Sequence, residues 1–214
     1  RPTATPPWRP RRMRGRREAV RALPAPDAHD ARASAVTETM LAGEAVVLLP
    51  QRALLWPRGQ TLFVADAHFG KAAAFRAAGV PVPRGTTSGT LAVLDALLDA
   101  HAIAHVVFLG DFLHARSGRT AGTLDALAAW RERRREVAMT LVRGNHDRHA
   151  GDPPSDLAID AVPEPWRIGP FAACHEPAAV DGAYALAGHL HPAFVLRGRA
   201  YQSARLPCFV LGEK

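Results

Sequence analysis

Hydrophobic positions in this chain recur with two different periods, one typical of strands and one typical of helices. Short apolar runs predict strands at residues 45–49, 53–56, 61–65, 105–109 and 137–142, with the first two paired across a turn. Leucines at helical spacing predict a helix from residue 87 or 88 to about residue 101. Further helices are predicted at 72–78 and 123–135. Strands and helices therefore alternate through the first part of the chain.

The last part of the chain has a different pattern. Residues 151–165 are rich in Pro and Asp, and short apolar segments then predict strands near 166–168, 171–174, 184–187, 193–196 and 208–211. An alternating region followed by a β-rich region is typical of an α/β domain. With 214 residues, of which 48% are hydrophobic, the chain is long enough to bury a substantial core in one domain.

The positive charge is concentrated at the start of the chain. The net charge is +7, but residues 1–32 contain nine arginines against three acidic residues, which leaves about +1 for the remainder. Because this segment combines Pro, Gly and Arg with few apolar residues, we predict a disordered basic arm at 1–34 and a folded domain at 35–214. The arm is either an electrostatic tether for nucleic acid or another polyanion, or a solubilising tail or start-site artefact without a specific role.

Features of membrane and secreted proteins are missing from the sequence. It contains no apolar run of transmembrane or secretory length. The two cysteines, Cys174 and Cys208, are too few for a disulfide framework. We therefore expect a cytoplasmic protein with reduced thiols and no membrane association.

Potential metal ligands follow the predicted strands at the points where the strands end. Because strand ends converge at one edge of an α/β sheet, we expect these side chains to meet there. The residues are Asp66, His68, Asp111, Asn145, His146, His175, His189 and His191. Carboxylate, amide oxygen and imidazole together suit manganese, iron or zinc, and a carboxylate such as Asp111 can bridge two cations. Two cations can activate a bridging hydroxide and hold the phosphate during in-line attack, so the pattern predicts phosphoryl hydrolysis.

The ordered motifs resemble a known family. Asp66-Ala-His68, Gly110-Asp111, Gly144-Asn145-His146-Asp147, His175 and Gly188-His189-Leu190-His191 are similar to the five motifs of the calcineurin-like metallophosphoesterases. This resemblance covers about residues 45–195 and implies an α/β fold of two mixed β-sheets packed as a sandwich and flanked by helices. The strings VADAHFGKAAAFRAAGVPVPRGTT, FLGDFLHARSGR, LVRGNHDRHAGDPP and AGHLHP resemble the bacterial ligase-associated DNA damage response endonucleases.

The resemblance also implies roles for individual residues. One metal would be held by Asp66, His68 and His191, and the other by Asn145, His175 and His189, with Asp111 as the bridge. His146 resembles the catalytic imidazole that stabilises the transition state or protonates the leaving oxygen. We further expect Asp147 to orient His146, His114 to contact phosphate, and Arg143 and Arg148 to neutralise phosphate oxygens. We expect other cations near the motifs, such as Arg116, to be solvated, and His149 has no motif context.

We therefore expect a metal-dependent phosphodiesterase that cleaves DNA and acts as a repair endonuclease. Its cofactors would be two divalent ions, manganese before iron or zinc. Its DNA would be single-stranded or contain unpaired regions, and repair ligase or helicase proteins are partners that the resemblance implies. The resemblance also suggests further residues after 208, so we expect a truncated C-terminal edge.

Two alternatives stay open. One is a phosphoesterase for nucleotides or cyclic nucleotides, with the same metals and a narrower pocket. The other is an inert scaffold for protein interactions that keeps the fold without the activity. Metal-dependent hydrolysis of any diester would exclude the scaffold.

Overall fold

A computed structural model describes residues 36–83, 85–199 and 202–212 of the chain. The predicted basic arm at 1–34 lies outside these residues, so its disorder stays a prediction. All structural statements below concern the described part of the chain.

Seven strands form a large mixed sheet in which the strand order follows the chain order. The strands are β1 (Thr37–Leu41), β2 (Glu44–Leu49), β3 (Ala53–Trp56), β4 (Thr61–Ala65), β5 (His105–Leu109), β6 (Ala138–Val142) and β7 (Asp160–Val162). Strands β1 to β4 are antiparallel, whereas β4 to β7 are parallel. The parallel part requires three crossover connections, and each of them contains at least one helix.

Four helices are present in the described residues: α1 (Lys71–Ala77), α2 (Thr86–Ala100), α3 (Ala121–Arg133) and α4 (Asn145–Ala150). Helices α1 and α2 lie between β4 and β5, α3 lies between β5 and β6, and α4 lies between β6 and β7. The side chain of Thr120 caps the start of α3 by accepting a hydrogen bond from the backbone N–H of Thr123. Consecutive parallel strands are therefore linked by crossovers that contain α-helices.

The two faces of the large sheet are covered by different layers. Successive β5 residues alternate between the layers, with Val106 and Phe108 on the helix side and Val107 and Leu109 on the other. The helix side packs against leucines of α2 and against Leu127 and Trp130 of α3. Burial on both faces explains why the central strands read as continuous apolar runs instead of alternating ones.

The other face packs against a second sheet of three strands, β8 (Trp166–Ile168), β9 (Phe171–Ala173) and β10 (Tyr184–Leu186), in the order β10-β9-β8. Phe171 inserts between the sheets, and its ring centroid lies 5.3 Å from that of Trp56 and 6.0 Å from that of Phe63. The predicted α/β fold of two sheets with flanking helices is thus confirmed.

Helices α2 and α3 are also joined by a polar contact at the edge of the core. Asp95 accepts hydrogen bonds from the indole Nε1 of Trp130 at 3.1 Å, from Nε of Arg134 at 2.7 Å and from Nη2 of Arg133 at 3.1 Å. One carboxylate on α2 therefore holds three side chains at the end of α3.

The local pattern of hydrophobic residues did not predict every element of the fold. Strand β1 was not predicted because it is a polar, largely exposed edge strand. Strand β7 was not predicted either, because its three residues lie in the Pro- and Asp-rich stretch and form a strand only by pairing with β6. Helix α4 was also missed, since its motif residues follow a strand directly.

The predicted strand at 208–211 is wrong. The chain instead forms a hairpin of β11 (Ala193–Arg197) and β12 (Ser203–Pro207), and residues 208–212 are not in a strand. An apolar run becomes a strand only when a partner supplies backbone hydrogen bonds, and here β11 pairs with the segment just before the run. None of the described helices has the length and apolar composition needed to cross a bilayer.

Candidate metal centre

The strand register brings three motif loops to one edge of the large sheet. Ala65 is paired with Leu109, and Leu109 is paired with Val142, so β4, β5 and β6 end in one row. The motif residues that follow each strand must therefore emerge side by side. Asp66 and Asp111 belong to one group of potential ligands with His175, and Asn145 contacts the same imidazole.

The remaining imidazoles come from the second sheet. His175 follows β9 and is almost fully buried, and His189 and His191 follow β10. The backbone N–H of His189 donates to both carboxylate oxygens of Asp66, at 3.1 and 3.0 Å. This contact joins the loop after β10 to the loop after β4 over 123 residues of chain.

Close approach of the loops explains two glycines in the motifs. A Cβ on Gly110 would lie 2.0 Å from Nδ1 of His175, and Gly110 also has a φ of 80°. A Cβ on Gly144 would lie 2.4 Å from Oδ1 of Asp111. Neither clash could be relieved without displacing a candidate ligand, so glycine is required at both positions.

Among the described residues, three overlapping groups of side chains could each hold a metal ion, because within a group all the potential ligand atoms lie within 4.8 Å of one another. The groups are Asp66, His68 and His191; Asp66, Asp111 and His175; and His68, His114 and His146. The structure thus brings together five of the seven residues predicted as metal ligands or bridge, and Asn145 and His189 complete the cluster through His175.

His175 shows why this cluster suits a cation. Its Nδ1 lies 3.1 Å from the carbonyl oxygen of Leu109, which can only accept, so Nδ1 carries the proton. With the proton on Nδ1, a neutral His175 ring would offer the lone pair of Nε2 to a cation. Nε2 lies 2.7 Å from Oδ1 of Asn145, 3.4 Å from Oδ1 of Asp111 and 3.0 Å from Nδ1 of His189. Convergence of oxygen and nitrogen acceptors on one point is the arrangement that a bound cation satisfies.

Asp111 divides its two oxygens between two parts of the cluster. Oδ1 faces His175, whereas Oδ2 lies 3.7 Å from Nε2 of His68. The rings of His68 and His191 are stacked with centroids 5.5 Å apart. The donor set of carboxylates, imidazoles and an amide oxygen fits divalent cations of intermediate hardness.

Backbone strain is concentrated in the same cluster. Among the described residues, nine that are not glycine have positive φ, and five of these nine are candidate ligands. They are Asp66, His68, Asp111, His189 and His191, with φ between 44° and 67°. Left-handed backbone at a residue other than glycine costs free energy, and such residues collect at functional sites.

Burial shifts the protonation of several groups in and around the cluster. Desolvation raises the pKa of Asp66, lowers the pKa of His68 to about 4, and lowers the pKa of His114. His68 is therefore neutral at physiological pH, which is the form that offers a lone pair to a metal. Burial also raises the pKa of Asp147, against the hydrogen bonds that it accepts.

His146 is held by a different residue from the one expected. Its Nδ1 lies 2.6 Å from the carbonyl oxygen of His114, and its Nε2 lies 3.8 Å from Oδ2 of Asp111. Asp147 was expected to orient this ring, but its carboxylate instead accepts from the backbone N–H groups of Phe112 and Gly144, at 3.0 and 2.9 Å. Asp147 thus ties the loop after β5 to the loop after β6.

The two arginines expected to bind phosphate both have acidic partners. The guanidinium of Arg143 donates to both oxygens of Asp152, at 2.7 and 2.8 Å. Nη2 of Arg148 lies 3.6 Å from Oε1 of Glu164, and the Arg148 side chain is largely exposed. Their contact with phosphate stays a prediction.

Glu164 is a residue of the site that the sequence did not suggest. Its Oε2 accepts from the backbone N–H of His175 at 2.7 Å and from that of Glu176 at 3.1 Å. It lies in the Pro- and Asp-rich stretch outside every motif, so no local signal marks it. Its position fixes the loop that carries a candidate ligand.

Comparison with known proteins identifies a matching family and a similar solved structure. The family model described as "Calcineurin-like phosphoesterase" matches residues 59–194. The solved structure of the Pseudomonas putida nuclease MPE is 46% identical, with a TM-score of 0.74, over 83% of this chain and 82% of that chain. No curated protein matches the chain.

Proposed function

The chain belongs to the calcineurin-like phosphoesterase family and is a metal-dependent phosphoesterase, and from this premise we propose that it hydrolyses DNA phosphodiester bonds with two divalent cations. The observation that carries the proposal is the position of Asp111, with one oxygen toward His175 and the other toward His68. A carboxylate placed in this way can serve two ions at once.

We assign the two ions to different parts of the cluster. Asp66, His68 and His191 would hold one, and Asn145, His175 and His189 the other. When bound, such a pair supplies Lewis acidity toward phosphate oxygens and lowers the pKa of the attacking water. Manganese is the proposed metal, with iron and zinc as alternatives that the same ligand atoms accept.

His146 is the proposed catalytic residue beyond the ligands. With Nδ1 held by the carbonyl of His114, it presents Nε2 near Asp111, where the reacting phosphate would lie. Protonated at Nε2, the imidazole would donate that proton to the leaving oxygen. His114 stacks on His146 with ring centroids 4.9 Å apart, and would contact the phosphate from the same side.

DNA is the proposed substrate for two reasons. The similar Pseudomonas putida protein is named a nuclease, which supports a nucleic acid. In addition, the cleft beside His146 is open to solvent, lined by residues that include Arg116, Ser117 and His149, and so has room for a strand. An enclosed pocket would instead favour a mononucleotide. A role in repair, in the cytoplasm and beside ligase or helicase proteins, rests on the resemblance to the ligase-associated endonucleases.

Cleavage of circular single-stranded DNA tests the proposal. A circle has no ends, so linear products require hydrolysis of an internal diester. We expect linear products with manganese and none after chelation. Hydrolysis of an aryl phosphodiester or a cyclic nucleotide without any cleavage of the circle would favour the small-molecule phosphoesterase, and inactivity on every diester with every divalent cation would favour the scaffold.

A further inference from the structure

An open cleft adjoins the candidate metal cluster on the side of His146. It is lined by His114, Ala115, Arg116, Ser117, Asn145, His146 and His149. One wall is the 3-10 turn Arg116–Gly118, and the other is helix α4. The cleft therefore contains the proposed catalytic imidazole of His146 and the proposed ligand Asn145, and it extends to Arg116, Ser117 and His149.

The wall that carries Arg116 is held firmly in place. Gly70 and Gly118 are in backbone contact, since a Cβ on Gly70 would lie 2.3 Å from the carbonyl oxygen of Gly118. Arg119, directly after the turn, donates to the carbonyl oxygens of Gly151 and Asp152 beyond the end of α4, at 3.3 and 2.7 Å. The turn and the helix are thus tied to each other at a fixed separation, which lowers the ordering cost of binding.

Arg116 differs from the other arginines around the site. Arg143 and Arg148 each face a carboxylate, and Arg119 is bonded to backbone carbonyls. Arg116 is exposed and has no ion pair with any residue that the structure describes, and the exposed hydroxyl of Ser117 lies next to it in the chain. A guanidinium beside a hydroxyl, on a rigid turn and without an acidic partner, suits a phosphate group.

We propose that Arg116 and Ser117 bind a phosphate of the DNA strand that flanks the scissile phosphate on its leaving-group side. The inference rests on the proposed function, because the cleft adjoins the imidazole that would protonate the leaving oxygen. The strand attached to that oxygen then runs between the turn and α4. Arg116 is accordingly a substrate-positioning residue that aligns the strand without taking part in the chemistry.

The test uses trinucleotides whose two linkages are neutralised one at a time as methylphosphonates, so that one negative charge is removed without changing the length. Arg116→Ala, Arg116→Lys and the matched control Arg135→Ala are compared with the wild type. Arg135 is a highly exposed arginine just after the end of α3, in a surface ion pair with Glu132 at 3.4 Å. Two quantities are measured with manganese: cleavage of the trinucleotide, and its inhibition constant against hydrolysis of an aryl phosphodiester.

Arg116→Ala should raise the inhibition constant of the all-phosphate trinucleotide about tenfold, as expected for a lost charge-assisted hydrogen bond. When the flanking linkage is a methylphosphonate, Arg116→Ala and the wild type should have the same inhibition constant. This result would show that Arg116 interacts directly with the charge of that linkage. Arg116→Lys should recover part of the loss, and Arg135→Ala should match the wild type. For longer single strands, the slope of log affinity against log salt should fall by about 0.7.

The two proposals fail in different ways. If the trinucleotides inhibit hydrolysis of the aryl phosphodiester without being cleaved, and Arg116→Ala weakens that inhibition, the nuclease proposal fails and the assignment of the cleft stands. If cleavage occurs and Arg116→Ala behaves like the wild type on every trinucleotide, the cleft assignment is overturned and the nuclease proposal stands. Equal losses for all linkages, neutralised or not, would also overturn the assignment, because the loss would then come from a change in the fold.

Discussion

Nδ1 of His146 is bonded to the backbone carbonyl of His114, at 2.6 Å and across 32 residues of chain. A carbonyl oxygen only accepts, so this contact fixes the proton on Nδ1 and leaves Nε2 as the atom directed at Asp111. His146 also lies within reach of a possible ion between His68 and His114. Substitution of His146 therefore distinguishes an imidazole that acts on the substrate from one that binds metal.

His146→Ala should lose more activity on DNA than on a nitrophenyl diester. General acid help contributes about 10²–10⁴-fold and matters most when the leaving group is a poor one. A DNA alkoxide is a poor leaving group, whereas nitrophenolate is a good one. Turnover on both substrates and bound metal are measured on the same preparation. Equal losses would indicate charge stabilisation instead of proton donation, and loss of a metal would make His146 a ligand.

Asp111→Ala and His189→Ala should each reduce phosphodiesterase activity by several orders of magnitude, because each removes a side chain that would hold a cation. Metal content, measured by mass spectrometry after gel filtration, should fall in parallel. Chelation of the wild type should abolish activity, and added manganese should restore it. Near-normal turnover in either variant would show that the ligand assignment is incorrect.

Glu164→Ala should weaken metal binding by about 10–100-fold, the range typical of residues that position a ligand. The cause is loss of the acceptor for the backbone N–H of His175. Glu164→Gln retains an acceptor oxygen and should recover most of the affinity, which a purely electrostatic role would not allow. Metal titration followed by calorimetry provides the readout. Unchanged affinity in Glu164→Ala would remove this residue from the site.

Deletion of residues 1–34 should leave hydrolysis of an aryl phosphodiester unchanged, because none of the candidate ligands lies in this segment. Any loss of DNA binding should be electrostatic and should fade as salt is raised. Affinity for single-stranded DNA is measured at several salt concentrations with both proteins. A truncated protein that no longer hydrolyses the small diester would make the segment part of the fold.

Asp95→Asn should lower the free energy of unfolding by about 1–2 kcal/mol, as expected when charge-assisted hydrogen bonds are weakened. Burial raises the pKa of Asp95, but hydrogen bonds from Arg134 and Arg133 outweigh it, and the pKa lies below its usual value. A lowered folded-state pKa gives stability that is present above the unfolded pKa and is lost as pH falls through the folded one.

Urea unfolding of Asp95→Asn at neutral and acidic pH checks this sign. The difference in free energy of unfolding between Asp95→Asn and the wild type should be largest at neutral pH and should shrink in acid. Asp125→Asn is the matched control, since Asp125 is an exposed carboxylate of α3 without an ion pair among the described residues. A difference that stays constant with pH would mean that Asp95 acts through its shape and not its charge.

The sequence by itself determined the class of this protein, because the relevant signals are local. Each buried strand of the parallel region is a continuous apolar run, and each motif follows within a few residues of a strand end. The carboxyl ends of parallel strands lie at the same edge of a sheet. The convergence of Asp66, Asp111 and Asn145 therefore follows from the position of each residue just after a strand. Weakly apolar or edge strands, such as β1 and β7, have no continuous apolar run. They form only by pairing with a neighbouring strand.

Only the tertiary structure decided how the polar groups are paired. Arg143 and Arg148 stand beside the motifs in the chain, yet each is engaged by a carboxylate, whereas Arg116 is left exposed in the cleft. His146 is oriented by a distant carbonyl and not by its neighbour Asp147. A side chain's partner is set by which loops meet in space, and hydrogen bonds and ion pairs act only over a few ångströms. Motif spacing therefore predicts which residues gather, but it does not predict which of them remain free to act on a substrate.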